Sequence, residues 1–102
     1  MSVRFRLAVL LSCMPVTAHP ETMVASHYDA KAAHIAAHRT LPMGTRLIVR
    51  NPRNGRTAHV VIGDRGPFVH GRALDISTAV ARQIGFGNSG VVSLQVSVGR
   101  KR

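Results

Sequence analysis

Arg46-Leu47-Ile48-Val49-Arg50-Asn51-Pro52-Arg53-Asn54-Gly55-Arg56-Thr57-Ala58-His59-Val60-Val61-Ile62 is the stretch that decides the architecture. Two β-rich runs, Arg46–Arg50 and Thr57–Ile62, flank a connector made of Asn, Pro, Gly and Arg. Asn54-Gly55 is the strongest short-range hairpin signal, because both residues tolerate the positive φ that a tight turn between twisted strands demands. The stretch reads as a β-hairpin, and it delivers the chain directly into the segment richest in candidate chemistry.

That segment is Gly63-Asp64-Arg65-Gly66-Pro67-Phe68-Val69-His70-Gly71-Arg72-Ala73-Leu74-Asp75-Ile76-Ser77. It carries two of the four acidic residues in the chain, Asp64 and Asp75. Three glycines and a proline are spread through it, so the backbone is expected to turn sharply and hold both carboxylates on a tight loop at one rim of a small β-domain. Arg65, Arg72 and His70 are expected close by. An acid among cations suits general acid/base work on a sugar or a phosphate. The same residues also make a good structural turn, with Asp64 bonding back to the backbone and Asp75 favouring a helix N-terminus.

Beyond it, Ser77 is placed to cap a helix over Thr78–Ile84, with Gly85 as its stop. Val91–Val98 is a strand in which Val92, Leu94, Val96 and Val98 share one face. Ahead of the hairpin, His19–Met23 reads as a polar lead-in and Val24–Tyr28 as a first strand. Asp29–Arg39 is rich in Ala and His, and supports no more than a turn of helix or a loop. Short strands with one short helix in about 80 residues suggest a small barrel.

The N-terminus has the form of an export signal. Arg4 and Arg6 precede an apolar run from Leu7 to Val16, and cleavage is expected near Ala18. The expected organisation is therefore a signal over 1–18, a lead-in over 19–23, a domain over 24–99 and a basic tail over 100–102. Leu10-Leu11-Ser12-Cys13 also looks a little like a lipobox, so outer-membrane attachment would follow if Cys13 were lipidated. Cys13 is the one cysteine in the chain, and the exported domain has no disulfide. Periplasmic export and a monomer are expected.

Charge is lopsided, with 14 Lys+Arg against 4 Asp+Glu and a net charge of +10. Such a surface favours anionic partners. Nucleic acid is not expected, because the chain looks exported and lacks both a basic helix and a set of stacking aromatics. An acidic polymer of the cell wall fits better. His34 and His38 would share a helix face, but no Cys or suitably spaced Glu completes a zinc site, so no metal and no cofactor are expected. Nucleophilic hydrolysis has no candidate residue set, and the phosphate-binding loop is absent. What remains is carboxylate chemistry at Asp64 and Asp75, with Asp29 distant.

Three stretches carry a family resemblance: Ala36-Ala37-His38-Arg39-Thr40-Leu41-Pro42-Met43-Gly44-Thr45, Val49-Arg50-Asn51-Pro52-Arg53-Asn54-Gly55-Arg56, and Asp64 through Ser77. In order and spacing the chain resembles the rare lipoprotein A (RlpA-like) domain, the septal lytic transglycosylase family. Ala25-Ser26-His27-Tyr28 resembles that family's opening Ala-Ser-Trp-Tyr. The resemblance covers roughly residues 24–98.

It implies a mainly β fold, a small six-stranded double-psi β-barrel with one or two short helices. It also implies cleavage of peptidoglycan glycan strands, preferably those stripped of stem peptides, to 1,6-anhydro-muramyl ends. By position, Asp64 matches the family's catalytic Asp and His38 its site His. Asp75 matches the catalytic Asp of the related expansins and of one class of murein transglycosylase. Arg65, Arg72 and Tyr28 are the candidate substrate-binding residues. An arginine would hold one carboxylate ionised while burial raised the pKa of the other. The chain departs from the family between Tyr28 and His38. Nine residues lie there, none of them Glu, where the family has a Thr-Ala-Asn/Ser-Gly-Glu segment. A barrel that binds glycan without cutting it is therefore the alternative expectation.

Overall fold

The computed structural model describes residues 20–99. The expected export signal and basic tail lie outside them. Six strands form one closed barrel: β1 (Glu21–Tyr28), β2 (Ile35–His38), β3 (Arg46–Arg50), β4 (Thr57–Asp64), β5 (Leu74–Ser77) and β6 (Val91–Val98), with one helix, α1 (Thr78–Gln83), between β5 and β6. Around the ring the order is β1-β5-β2-β4-β3-β6. β1 runs parallel to β5 and β2 parallel to β4, and the other four pairings are antiparallel. This is the expected six-stranded mixed barrel of double-psi type.

Period-two alternation builds its core. Ala25, Leu47, Val49, Val60, Ile62, Leu74, Ile76 and Leu94 point inward and are at most 1% exposed. Each fully buried aliphatic side chain contributes roughly 1.5–3 kcal/mol. Closure gives every strand two partners, so the ladder hydrogen bonds are satisfied without a second layer.

The hairpin forms as expected, with Arg46 opposite Val61 and Arg50 opposite Thr57. In its connector the Asn51 carbonyl accepts from Gly55 N at 2.8 Å. The helix also forms where expected: the Ser77 hydroxyl accepts from Val80 N at 3.0 Å and donates to the Ala33 carbonyl at 2.6 Å. Ile84 is the C-cap. Val80, Ala81 and Ile84 join the barrel core.

Several boundaries differ from the sequence expectation. β1 starts at Glu21, inside the segment read as a lead-in, because Glu21–Ser26 pair with β6. The Ala-rich stretch yields strand β2, since Ala37 pairs with both β4 and β5. Two flanking ladders override the helix preference of alanine. His34 sits in the turn before β2, so His34 and His38 share no helix face. Leu94 and Val96 of β6 are buried and Val92 packs against the core, while Val98, at the strand's end, is exposed.

Candidate active site

Four positions stand side by side across the sheet. Ser26 of β1 is opposite Asp75 of β5, Asp75 is opposite Ala37 of β2, and Ala37 is opposite Asp64 of β4. The two aspartates therefore flank Ala37, with backbones roughly 10 Å apart given the usual strand spacing. They do not sit on the loop, as the sequence suggested. Asp64 ends β4 and Asp75 lies within β5, and the loop spans the gap between them. Its turn residues are real, but they end one strand and start another.

Local sequence explains how each carboxylate is aimed. Asp75 lies between Leu74 and Ile76, both wholly buried in the barrel, so alternation points Asp75 away from the core. On β4 the register shifts between Ala36 and Ala37, whose partners are Ile62 and Asp64. Gly63 is the extra residue at this bulge, and a Cβ there would lie 3.0 Å from Ile35 Cδ1. The bulge places Asp64 level with Ala37 and therefore with Asp75.

Each carboxylate receives one hydroxyl. Tyr28 Oη donates to Asp64 Oδ2 at 2.6 Å. Ser26 Oγ donates to Asp75 Oδ1. Tyr28 and Asp64 sit on strands separated in the ring by β5 and β2, so this bond ties the two ends of the row together. Burial, the hydrogen bond to Asp64 and the nearby charges of Asp64 and Asp75 push the Tyr28 phenol well above its ordinary value. The phenol therefore stays protonated at neutral pH and remains a donor.

The guanidinium groups of Arg65 and Arg39 donate to backbone carbonyls. Arg65 Nη1 donates to the carbonyls of His38 at 3.1 Å and Leu41 at 2.5 Å. Arg72 offers its carbonyl to Arg39 Nη1 at 2.6 Å, and the same nitrogen donates to Pro67 O at 2.9 Å. Guanidinium forks suit this bridging of carbonyls. Arg65 thus holds the turn after β2, and Arg39 pins both stems of the Arg65–Ala73 loop. The hydrogen bonds that orient the carboxylates come instead from Tyr28 and Ser26, which sequence reasoning did not cast as their partners. The signal was faint: Tyr28 is 36 residues from Asp64 and Ser26 is 49 from Asp75.

His38 ends β2. Its Nδ1 accepts from Thr40 N at 3.1 Å and Leu41 N at 3.0 Å. An accepting Nδ1 carries no proton, so the neutral ring bears its proton on Nε2. Burial, with the charges of Arg39 and Arg65, lowers the His38 pKa from its ordinary 6.5, which favours this neutral tautomer.

Comparison with known proteins agrees with this fold. Residues 19–96 match the family model described as "Lytic transglycolase". A Nostoc protein named "Probable endolytic peptidoglycan transglycosylase RlpA" is 53% identical over 66 residues, covering 65% of this chain and 18% of its own length. "Endolytic peptidoglycan transglycosylase RlpA" of Pasteurella multocida is 49% identical over 65 residues, 64% of this chain and 22% of that protein. The protein of that name from Neisseria meningitidis serogroup A is 38% identical over 76 residues, 74% of this chain and 31% of that protein. The chain thus spans a third or less of the relatives it matches. With this match over most of its length and its closed mixed barrel, the chain belongs to the lytic transglycolase family, as an RlpA-like double-psi β-barrel.

Proposed function

We propose that this barrel binds peptidoglycan glycan strands after export and cleaves them by lytic transglycosylation. The observation that supports the proposal is the row Ser26–Asp75–Ala37–Asp64, in which each aspartate has one oxygen held by a hydroxyl. The names of the relatives supply the substrate class.

In the proposed reaction Asp64, in its acid form, gives its proton to the glycosidic oxygen. The C1–O bond breaks, and the leaving sugar departs as an alcohol. Positive charge develops at C1, and the Asp75 carboxylate stabilises it. The substrate's own 6-hydroxyl then closes on C1, and Asp64 takes its proton. The product carries a 1,6-anhydro bridge, no water is consumed, and Asp64 is returned to its acid form. Tyr28 orients Asp64, and the Nε2–H of His38 serves as a donor to a sugar oxygen. One carboxyl performing both proton transfers separates this scheme from two-carboxylate hydrolysis.

A second function draws support from the short turn between β1 and β2. It holds Asp29 but no Glu, so the barrel would grip glycan without cutting it. Incubating the 102-residue chain with denuded glycan strands, followed by mass spectrometry, separates the two. Anhydro-muramyl ends are expected, and Asp64→Asn should reduce their formation at least about a hundredfold, the scale of general acid/base catalysis. Binding with no such products would leave only the second function. Equal turnover in Asp64→Asn and Asp75→Asn would remove the assignment of roles.

A further inference from the structure

Among the described residues, Phe68 is the one aromatic whose ring lies mostly in solvent, at 78% exposure, and Val69 beside it is 49% exposed. A single exposed apolar residue needs no explanation. Three features set this one apart. It stands on the loop whose stems lead from Asp64 to Asp75. That loop is held at both stems by Arg39, through Pro67 O and Arg72 O. And the ring has a backing: a Cβ on Gly66 would lie 3.5 Å from Phe68 Cε2 and 3.6 Å from Cδ2. The Cδ2–Cε2 side of the ring therefore lies beside Gly66, while most of its surface faces solvent.

Arg39, Phe68, Val69, His70 and Gly71 line a shallow hollow of about 290 Å³. Ligand sites usually run from about 300 to 1,000 Å³, so this one has room for a single ring and not for a long chain segment. We infer that Phe68 is a stacking platform for one pyranose ring of the glycan strand, a subsite beside the aspartate row, with Arg39 and His70 favouring sugars that bear a carboxylate. The polarised C–H bonds on one face of a pyranose suit the negative face of an aromatic ring. The Arg39 guanidinium bordering the ring complements an anionic substituent, and the His70 ring adds a hydrogen-bonding edge. Continuity favours sugar over other occupants, because the loop that carries Phe68 joins the strand ending at Asp64 to the strand holding Asp75. The inference rests on the glycan-binding function proposed for that row.

The chain contains no tryptophan, so Phe68→Trp places its single tryptophan, excited selectively beside Tyr28, at the platform. Titrating it with denuded glycan strands should shift its emission to the blue, with wild-type affinity retained. Phe68→Ala should weaken binding about tenfold, the scale of one aromatic contact with its buried area, with an unchanged far-UV circular dichroism spectrum. The Phe68→Trp, Asp64→Asn double variant should keep the emission shift while losing anhydro product. Wild-type binding with no change in Phe68→Ala and no shift in Phe68→Trp would overturn the platform and leave the proposed function standing. A shift with phosphatidylglycerol vesicles but not with glycan would overturn it in favour of a lipid surface. Failure of the wild type to bind strands would remove both.

Discussion

At the scale of single residues, the site depends on hydroxyls that hold carboxylates. Tyr28→Phe removes the donor on Asp64 Oδ2 and keeps the ring. A typical hydrogen bond contributes about 0.5–1.5 kcal/mol, and losing the one that orients Asp64 should lower turnover by up to about tenfold. The same variant has a signature in alkali. The Tyr28 phenol is raised above its ordinary 10.0, so the folded state keeps a proton that the unfolded chain gives up. That contribution is fully present below 10.0 and declines as pH rises towards the folded value. Urea titrations should show a steeper alkaline loss in the wild type than in Tyr28→Phe. His38 behaves in the opposite sense. Its pKa is lowered from 6.5, so the unfolded chain binds the proton first and stability falls as pH drops below 6.5. In His38→Asn the amide oxygen can still accept from Thr40 N and Leu41 N but does not titrate. Its melting temperature should fall less than that of the wild type between about pH 8 and pH 5.

At the scale of elements, the hairpin connector and the helix act as one joint. Asn51, 2% exposed, donates Nδ2 to the Ile84 carbonyl at 2.8 Å, and Asn54 Nδ2 reaches the same oxygen at 3.2 Å. Gly85, at φ 90°, lets the chain leave the helix beneath these amides. A Cβ at that position would lie 2.5 Å from Asn54 Nδ2. Gly85→Ala should therefore cost about 1–3 kcal/mol, read as a lower urea midpoint with an unchanged slope. Asn54-Gly55 and Ser77 were legible in the sequence because turn and cap chemistry is local. β2 and β5 were not. Each has four residues, too few to display a period, and both exist through pairing with strands far away in the chain. The row Ser26–Asp75–Ala37–Asp64 was illegible for the same reason. The resemblance to a family named its aspartates, and only the register showed that they flank Ala37.

At the scale of the whole molecule, the net charge of +10 has little to do with the fold, and on the proposed function it would speed encounter with an anionic polymer. Arginines on strands and turns provide this field, and salt screens it: the Debye length falls from about 10 Å at 0.1 M to about 3 Å at 1 M. Co-sedimentation with sacculi should weaken by at least about tenfold over that range, mainly through slower association. Salt-insensitive binding would place recognition in the aspartate row and the Phe68 loop alone.

The ring of strands also governs how such a domain can diverge. With both flanks of each strand engaged, no ladder can gain or lose a residue without disturbing its neighbours on either side. The segment from Asp29 to His34 carries the chain across β5 from one anchored strand to another, and only its far end is tied to the frame, where the Ala33 carbonyl accepts from Ser77 and the His34 carbonyl from Val61 N. Ahead of Ala33 its length and chemistry can be exchanged like a cartridge while the frame stays as it is. On the function proposed above, a lineage could thus adjust turnover at one short crossing and keep its glycan binding.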